Sequence, residues 1–177
     1  MTKILALGAS TSSHSINRVF SSYAASMVLD ASVELLDLND FQAPIYSVNQ
    51  ESAQGIPQNA KRFVNEIESA DGIVLSLAEH NGSYTAAFKS LLDWGTRHKQ
   101  KLWSDKPMLL LSTSPGARGA ATVLAAADAS FPHIGAQVVA RFSLPSFHDK
   151  YTQARGITDS NLKLSFDAAL AKFSQAL

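Results

Sequence analysis

Hydroxyls crowd one short stretch near the start of this chain: Gly8-Ala9-Ser10-Thr11-Ser12-Ser13-His14-Ser15-Ile16-Asn17. The apolar run Ile4–Leu7 before it reads as a buried strand, and the periodic apolar segment Ile16–Met27 after it reads as a helix. A strand-to-helix loop of this kind aims Ser and Thr hydroxyls and backbone N–H groups at one point, at the positive end of a helix dipole. Such a point suits a phosphate. The dinucleotide glycine pattern and the P-loop lysine are both missing, so a single phosphate fits better than a pyrophosphate. The same serines could instead serve only as helix caps.

Two more loops carry polar groups at equivalent places. Ala78–Tyr84 follows the apolar run Ile73–Leu77, and Ser112–Gly119, rich in Ser and Gly, follows Met108–Leu111. The elements that must position these loops alternate along the chain. Strands are expected at Ile4–Leu7, Val33–Leu38, Ile73–Leu77, Met108–Leu111 and Gln137–Phe142. Helices are expected at Ile16–Met27, Gln58–Ala70, Thr85–His98, Ala120–Ser130 and Asp159–Ala176. The connection Asn39–Pro57 is far longer than is usual and is read as a functional or mobile loop. Regular alternation predicts an α/β fold, a flavodoxin-like doubly wound parallel sheet of strand order 2-1-3-4-5 with helices on both faces. In that order the first and third strands are neighbours, and ligands bind beyond their C-terminal ends. The three polar loops would meet there.

Composition narrows the classes. At 177 residues and 46% apolar content, one domain spanning residues 1–177 with a sizeable core is expected. Fifteen Lys and Arg balance fifteen Asp and Glu, which argues against a nucleic-acid partner or an anionic membrane surface. The chain has no cysteine, which removes disulfides, thiolate metal sites and cysteine nucleophiles. No secretory h-region and no bilayer-spanning apolar run is evident, so a soluble cytoplasmic protein is the expectation.

The second loop and its helix read Ala78-Glu79-His80-Asn81-Gly82-Ser83-Tyr84-Thr85-Ala86-Ala87-Phe88-Lys89-Ser90-Leu91-Leu92-Asp93-Trp94-Gly95-Thr96-Arg97. This stretch resembles the signature of the NAD(P)H-dependent FMN reductase family, through Glu79, Asn81, Ser83, Lys89, Asp93, Trp94 and Arg97. The first loop is similar to the same family's phosphate loop through Ser10, Ser15 and Asn17. The third, Thr113-Ser114-Pro115-Gly116-Ala117-Arg118-Gly119, is similar to its Gly-rich loop at the flavin edge. The resemblance covers about residues 2–143. Departures are visible: Ser12 stands where the family has an arginine, His80 where a tyrosine is common, and Thr85-Ala86 where Pro-Gly opens the helix.

The resemblance implies FMN as cofactor and NADPH or NADH as reductant. It implies a small-molecule electron acceptor such as a quinone, free flavin, azo compound or metal oxyanion, and a homodimer or a tetramer of dimers. Residue by residue, it implies that Ser10, Ser12, Ser15 and Asn17 bond the FMN phosphate, with the backbone N–H groups of Ile16 and Asn17. Ser15 can be a helix N-cap at the same time. Ala78, Glu79, His80, Asn81, Gly82 and Ser83 would run along the isoalloxazine ring, with His80 against a face or edge or simply solvated. Ser114, Pro115, Gly116, Arg118 and Gly119 would close from the other side. Arg118 could face charge on the reduced ring, bind a phosphate of the nicotinamide cofactor, or stand free in solvent. Lys89, Asp93 and Arg97 are read as a surface ion ladder. Trp94 and Trp103 are read as core or subunit interface. Phe41, Ile45, Tyr46 and Trp94 are read as apolar groups available to a subunit contact. No catalytic acid, base or metal is required, because the hydride chemistry belongs to the flavin.

Two other readings use the same residues. An FMN-binding electron carrier or redox sensor would share the site but turn over little nicotinamide. A serine hydrolase would need Ser10 as nucleophile beside His148 and Asp149, and no G-x-S-x-G elbow is present.

Overall fold

The computed structural model describes residues 1–177. In chain order the elements are β1 (Thr2–Ala9), α1 (Ile16–Ser26), β2 (Ala31–Leu36), α2 (Val48–Gln54), α3 (Gln58–Ser69), β3 (Gly72–Leu77), β4 (Glu79–His80), β5 (Ser83–Tyr84), α4 (Ala86–His98), β6 (Lys106–Thr113), α5 (Ala121–Ser130), β7 (Ala136–Leu144), α6 (Phe147–Lys150), β8 (Tyr151–Thr152), β9 (Gly156–Ile157) and α7 (Ser160–Gln175). The main sheet has five strands in the order β2-β1-β3-β6-β7, and all four pairings are parallel. This is the expected flavodoxin-like order.

Side-chain alternation along the strands splits the interior into two cores. Leu5, Leu7, Ile73, Leu75, Met108 and Leu110 face α3, α4 and α5, among a cluster of 28 buried residues. Ile4, Ala6, Val74, Leu109 and Leu111 face α1 and α7, among a cluster of 18. Both faces of the central strands are therefore dry, which is why they read as continuous apolar runs. At the C-terminal edge that pattern breaks. Ser76, Ser112 and Thr113 are buried polar residues at the ends of β3 and β6. Each is satisfied by a neighbour there, and those bonds shape the site.

Two connections are more ordered than the sequence suggests. The long segment after β2 holds a 3-10 turn at Leu38–Phe41 and the two-turn helix α2. Phe41 and Trp94 are buried, and the Trp94 Nε1–H donates to the Pro44 carbonyl at 2.7 Å. They are thus packing groups that pin this segment, which corrects their reading as available subunit contacts. Tyr46 lies edge-on to Trp94, and of the four only Ile45 is strongly exposed. The ion ladder is also redrawn. Lys89 pairs with Asp93, but Arg97 turns to Glu51 on α2. The polar segment before α7 contains α6 and the β8–β9 hairpin. Trp103 is fully buried, as a core residue should be.

Candidate functional site

Loop one, residues 10–15, leaves β1 and turns into α1. Gly8 is what permits the turn. A Cβ there would lie 2.2 Å from the Arg18 backbone nitrogen and 2.5 Å from its Cα, so the strand and the helix start can touch only without a side chain. Ser15 caps α1, its Oγ accepting from the Arg18 N–H at 3.1 Å. The loop also folds on itself. Ser10 Oγ accepts from the Ser12 N–H and Ser12 Oγ from the His14 N–H. These serines use only their acceptor capacity, so their hydroxyl protons remain free to donate. The amide hydrogens of Ile16 and Asn17, in the first turn of α1, meet no protein acceptor. Unfilled amides at a helix start, ringed by three serine hydroxyls, are the donor set a phosphate requires.

The Asn17 side chain does something else. It is 3% exposed, and it points under the loop rather than out of it. Its Oδ1 accepts from Ser76 Oγ at 2.7 Å and from the Thr113 N–H at 3.2 Å, and its Nδ2 donates to the Thr113 carbonyl at 3.2 Å. The expectation that this carboxamide bonds the phosphate is corrected. Asn17 offers the cleft its backbone N–H, and its side chain stitches α1 to the ends of β3 and β6.

Loop two is a small hairpin, β4 paired with β5. Asn81 and Gly82 have φ of 51° and 75°. That double left-handed pair is the two-residue turn that suits a tight hairpin and that an Asn-Gly sequence signals. Glu79 is turned inward, its side chain 11% exposed. Its Oε2 accepts from the Val123 N–H at 2.9 Å, within the first turn of α5. The α5 cap position is Ala120, which has no side-chain acceptor, so a carboxylate from another loop caps the helix. Arg118 lies 3.8 Å from the other Glu79 oxygen and is 82% exposed. Thr85 caps α4 and also donates to the Ala9 carbonyl at 3.0 Å, joining loop two to the end of β1.

Loop three is held at both ends. The Gly119 carbonyl accepts from Ser112 Oγ at 2.7 Å and from Ser143 Oγ at 2.8 Å. The carbonyls of Ser114 and Gly116 accept from the Phe147 and Ser146 N–H groups. Gly119 has φ of 58°, and a Cβ there would sit 2.3 Å from Ser143 Oγ.

Together the loops border an open cleft of about 410 Å³ beyond β1, β3 and β6. Of the expected residues, Ser10, Ser12, Ser15, Ile16, Asn17, Ala78, Glu79, His80, Ser114 and Pro115 line it. Asn81, Gly82, Ser83, Gly116, Arg118 and Gly119 lie outside its wall, on the hairpin tip and on loop three. His14, Thr113 and His148 line it as well. His14 stands inside the serine run and could have been singled out there. His148 comes from α6, after β7, and the sequence points to it only through the hydrolase reading. Ser10 and His148 share the cleft, yet no hydrogen bond joins them, and the Ser10 hydroxyl instead accepts from its own loop. The hydrolase reading has no nucleophile–base contact to stand on.

A doubly wound parallel sheet with hydroxyl-rich loops beyond the C-terminal ends of β1, β3 and β6 defines a flavodoxin-like protein. The chain belongs to the NADPH-dependent FMN reductase family, whose profile matches residues 2–149. A quinone reductase of Pseudomonas putida is 36% identical over 105 residues, which are 59% of this chain and 53% of that protein. The chain spans about half the length of the first curated relatives it matches. Among solved structures, the NAD(P)H:acceptor flavoenzyme FerB of Paracoccus denitrificans superposes with a TM-score of 0.74 at 24% identity, covering 99% of both chains. An NADH:FMN oxidoreductase in its apo form gives 0.77 at 20% identity, covering all of this chain and 90% of the other.

Proposed function

We propose that residues 1–177 form a single flavodoxin-like domain that binds FMN and acts as an NAD(P)H-dependent oxidoreductase. It would pass reducing equivalents to a small acceptor such as a quinone. The observation that carries this is the donor set of loop one: the unfilled amides of Ile16 and Asn17 beside Ser10, Ser12 and Ser15. These groups match a phosphate monoester. When bound, FMN supplies hydride chemistry between nicotinamide and acceptor. The chain supplies position. Loop one would hold the phosphate, and Ala78, Glu79 and His80 with Thr113, Ser114 and Pro115 would flank the ring. Backbone N–H groups of loop three would face the negative charge that the ring gains on reduction. No helix of the protein is long and apolar enough to cross a membrane, and a cytoplasmic location fits this reading.

Purified protein should show the visible absorbance of bound flavin and should oxidise NADPH or NADH when a quinone is added. Colourless protein that gains no flavin spectrum on incubation with FMN would overturn the reading. Bound FMN without nicotinamide oxidation would leave the electron carrier in its place.

Self-association is part of the same proposal. With Phe41 and Trp94 engaged in the core, the exposed apolar groups on the long connection are Ile45 and Val48, 86% and 67% exposed. They are the natural contact for a second copy. Light scattering at micromolar concentration should give a multiple of the 19.0 kDa chain mass, and replacing both by serine should shift it toward one chain. A parent protein with the mass of one chain would remove the proposal.

A further inference from the structure

The buried Asn17 carboxamide is the one side chain that touches all three structural levels of the cleft. It belongs to the first turn of α1, which carries the phosphate amides. It accepts from Ser76 at the end of β3, which leads into loop two. It exchanges two bonds with the Thr113 backbone, from which loop three begins. The oxygen and the nitrogen of the amide are both used, and the site is almost free of solvent. Thr113 is fixed again from its far side, its Oγ1 donating to the Leu144 carbonyl at 2.7 Å. A buried network whose members are all satisfied admits one arrangement, because any shift leaves a polar group unpaired. An aspartate could not replace Asn17, since a second oxygen would face the Thr113 carbonyl.

We infer that Asn17 is a positioning residue, which fixes the start of loop three, the loop that closes on the flavin ring, against the ends of α1 and β3. The inference rests on the FMN reading above. It assigns Asn17 no bond to the ligand through its side chain. The consequence differs from that of a phosphate ligand. A side chain that bonds the phosphate contributes to FMN binding and nothing to riboflavin binding. A side chain that fixes the ring loop contributes to both, because both ligands carry the ring.

The test compares dissociation constants for FMN and riboflavin in the parent protein, Asn17→Ala and Ser76→Ala, with visible circular dichroism of the bound flavin. Asn17→Ala should weaken FMN and riboflavin by the same factor, about tenfold for roughly one buried hydrogen bond's worth of order. The ratio of the two constants should stay at its parent value, and the dichroism of the bound ring should change. Ser76→Ala removes only a buried hydroxyl that does not line the cleft, and it should move both constants in the same direction by a smaller factor. It also carries the test should Asn17→Ala fail to fold. Loss of FMN affinity alone would overturn the inference and restore Asn17 as a phosphate ligand. Unchanged constants and unchanged dichroism in the bound state would reduce Asn17 to a purely structural role and also overturn it. A parent protein that binds neither flavin would remove the FMN reading itself.

Discussion

Replacing Gly8 by alanine should cost about 3 kcal/mol of stability or more, and with it the cradle. The added Cβ would sit 2.2 Å from the Arg18 backbone nitrogen, 2.5 Å from its Cα and 2.7 Å from the Asn17 carbonyl carbon. All three are backbone atoms, so no rotamer change relieves the overlap. Overpacking against side chains costs roughly 1–3 kcal/mol, and backbone against backbone belongs at or above that upper limit. The only relief is to lift the start of α1 off β1. That start holds the Ile16 and Asn17 amides, so stability and FMN affinity should fall together. In a protein of this size the loss corresponds to about 6–12 °C in Tm. Gly116→Ala is the control for stability. Its nearest neighbour to an added Cβ is Ser114 Oγ at 3.8 Å, and it should leave Tm within about 2 °C. Thermal melts of the two variants decide the matter. A Gly8→Ala protein that melts with the parent would mean that the strand and helix are not in the contact described.

FMN should bind at least about a hundredfold more tightly than riboflavin. The two ligands share the ring and the ribityl chain and differ by the phosphate. Bonds from neutral donors to an anion are individually worth roughly 1.5–3 kcal/mol. Losing two, at 1.4 kcal/mol per tenfold, gives on the order of a hundredfold. Equal affinity would mean that loop one is only a helix cap. The side-chain part of this binding should lie with the serines. Ser12→Ala combined with Ser15→Ala should narrow the gap between FMN and riboflavin and leave riboflavin nearly unchanged. Losing the Ser15 cap should lower stability by about 1 kcal/mol whether or not a phosphate binds there. Melting temperature therefore cannot decide, and the ratio of the two affinities can.

The sheet was legible because its cause is local. Each central strand is apolar on both faces, each helix has its own period, and the loops at one edge differ in composition from those at the other. The roles of individual polar side chains were less so. Asn17 follows a run of serines at a helix start, and from sequence it is indistinguishable from them. Its partners, Ser76 and Thr113, lie 59 and 96 positions away. Glu79 likewise reads as a loop carboxylate, and only the missing cap at Ala120, on a helix whose bonded amide lies 44 positions away, explains why it turns inward. His148 reaches the cleft because Ser146 and Phe147, just before it, donate to the Gly116 and Ser114 carbonyls of loop three. Such long-range pairings have no signature in spacing. The Asn-Gly turn at 81–82 was the opposite case. The dipeptide itself specifies the hairpin, and the loop could have been read as one.

The bond from the α5 amide to the Glu79 carboxylate also bears on how the proposed oxidoreductase would change its acceptor. Loop two cannot be exchanged as an independent cassette, because a transplanted segment without an acid at this place strands a helix terminus elsewhere in the chain. Loop three is constrained in the same sense by the two serines that grip the Gly119 carbonyl. What remains open to variation is the outward layer: His80 and Arg118, whose side chains hold nothing else in place beyond one long contact from Arg118. Diversification of acceptor preference, by descent or in the laboratory, has its cheapest route through those positions, over a frame in which the inward-facing polar groups stay as they are.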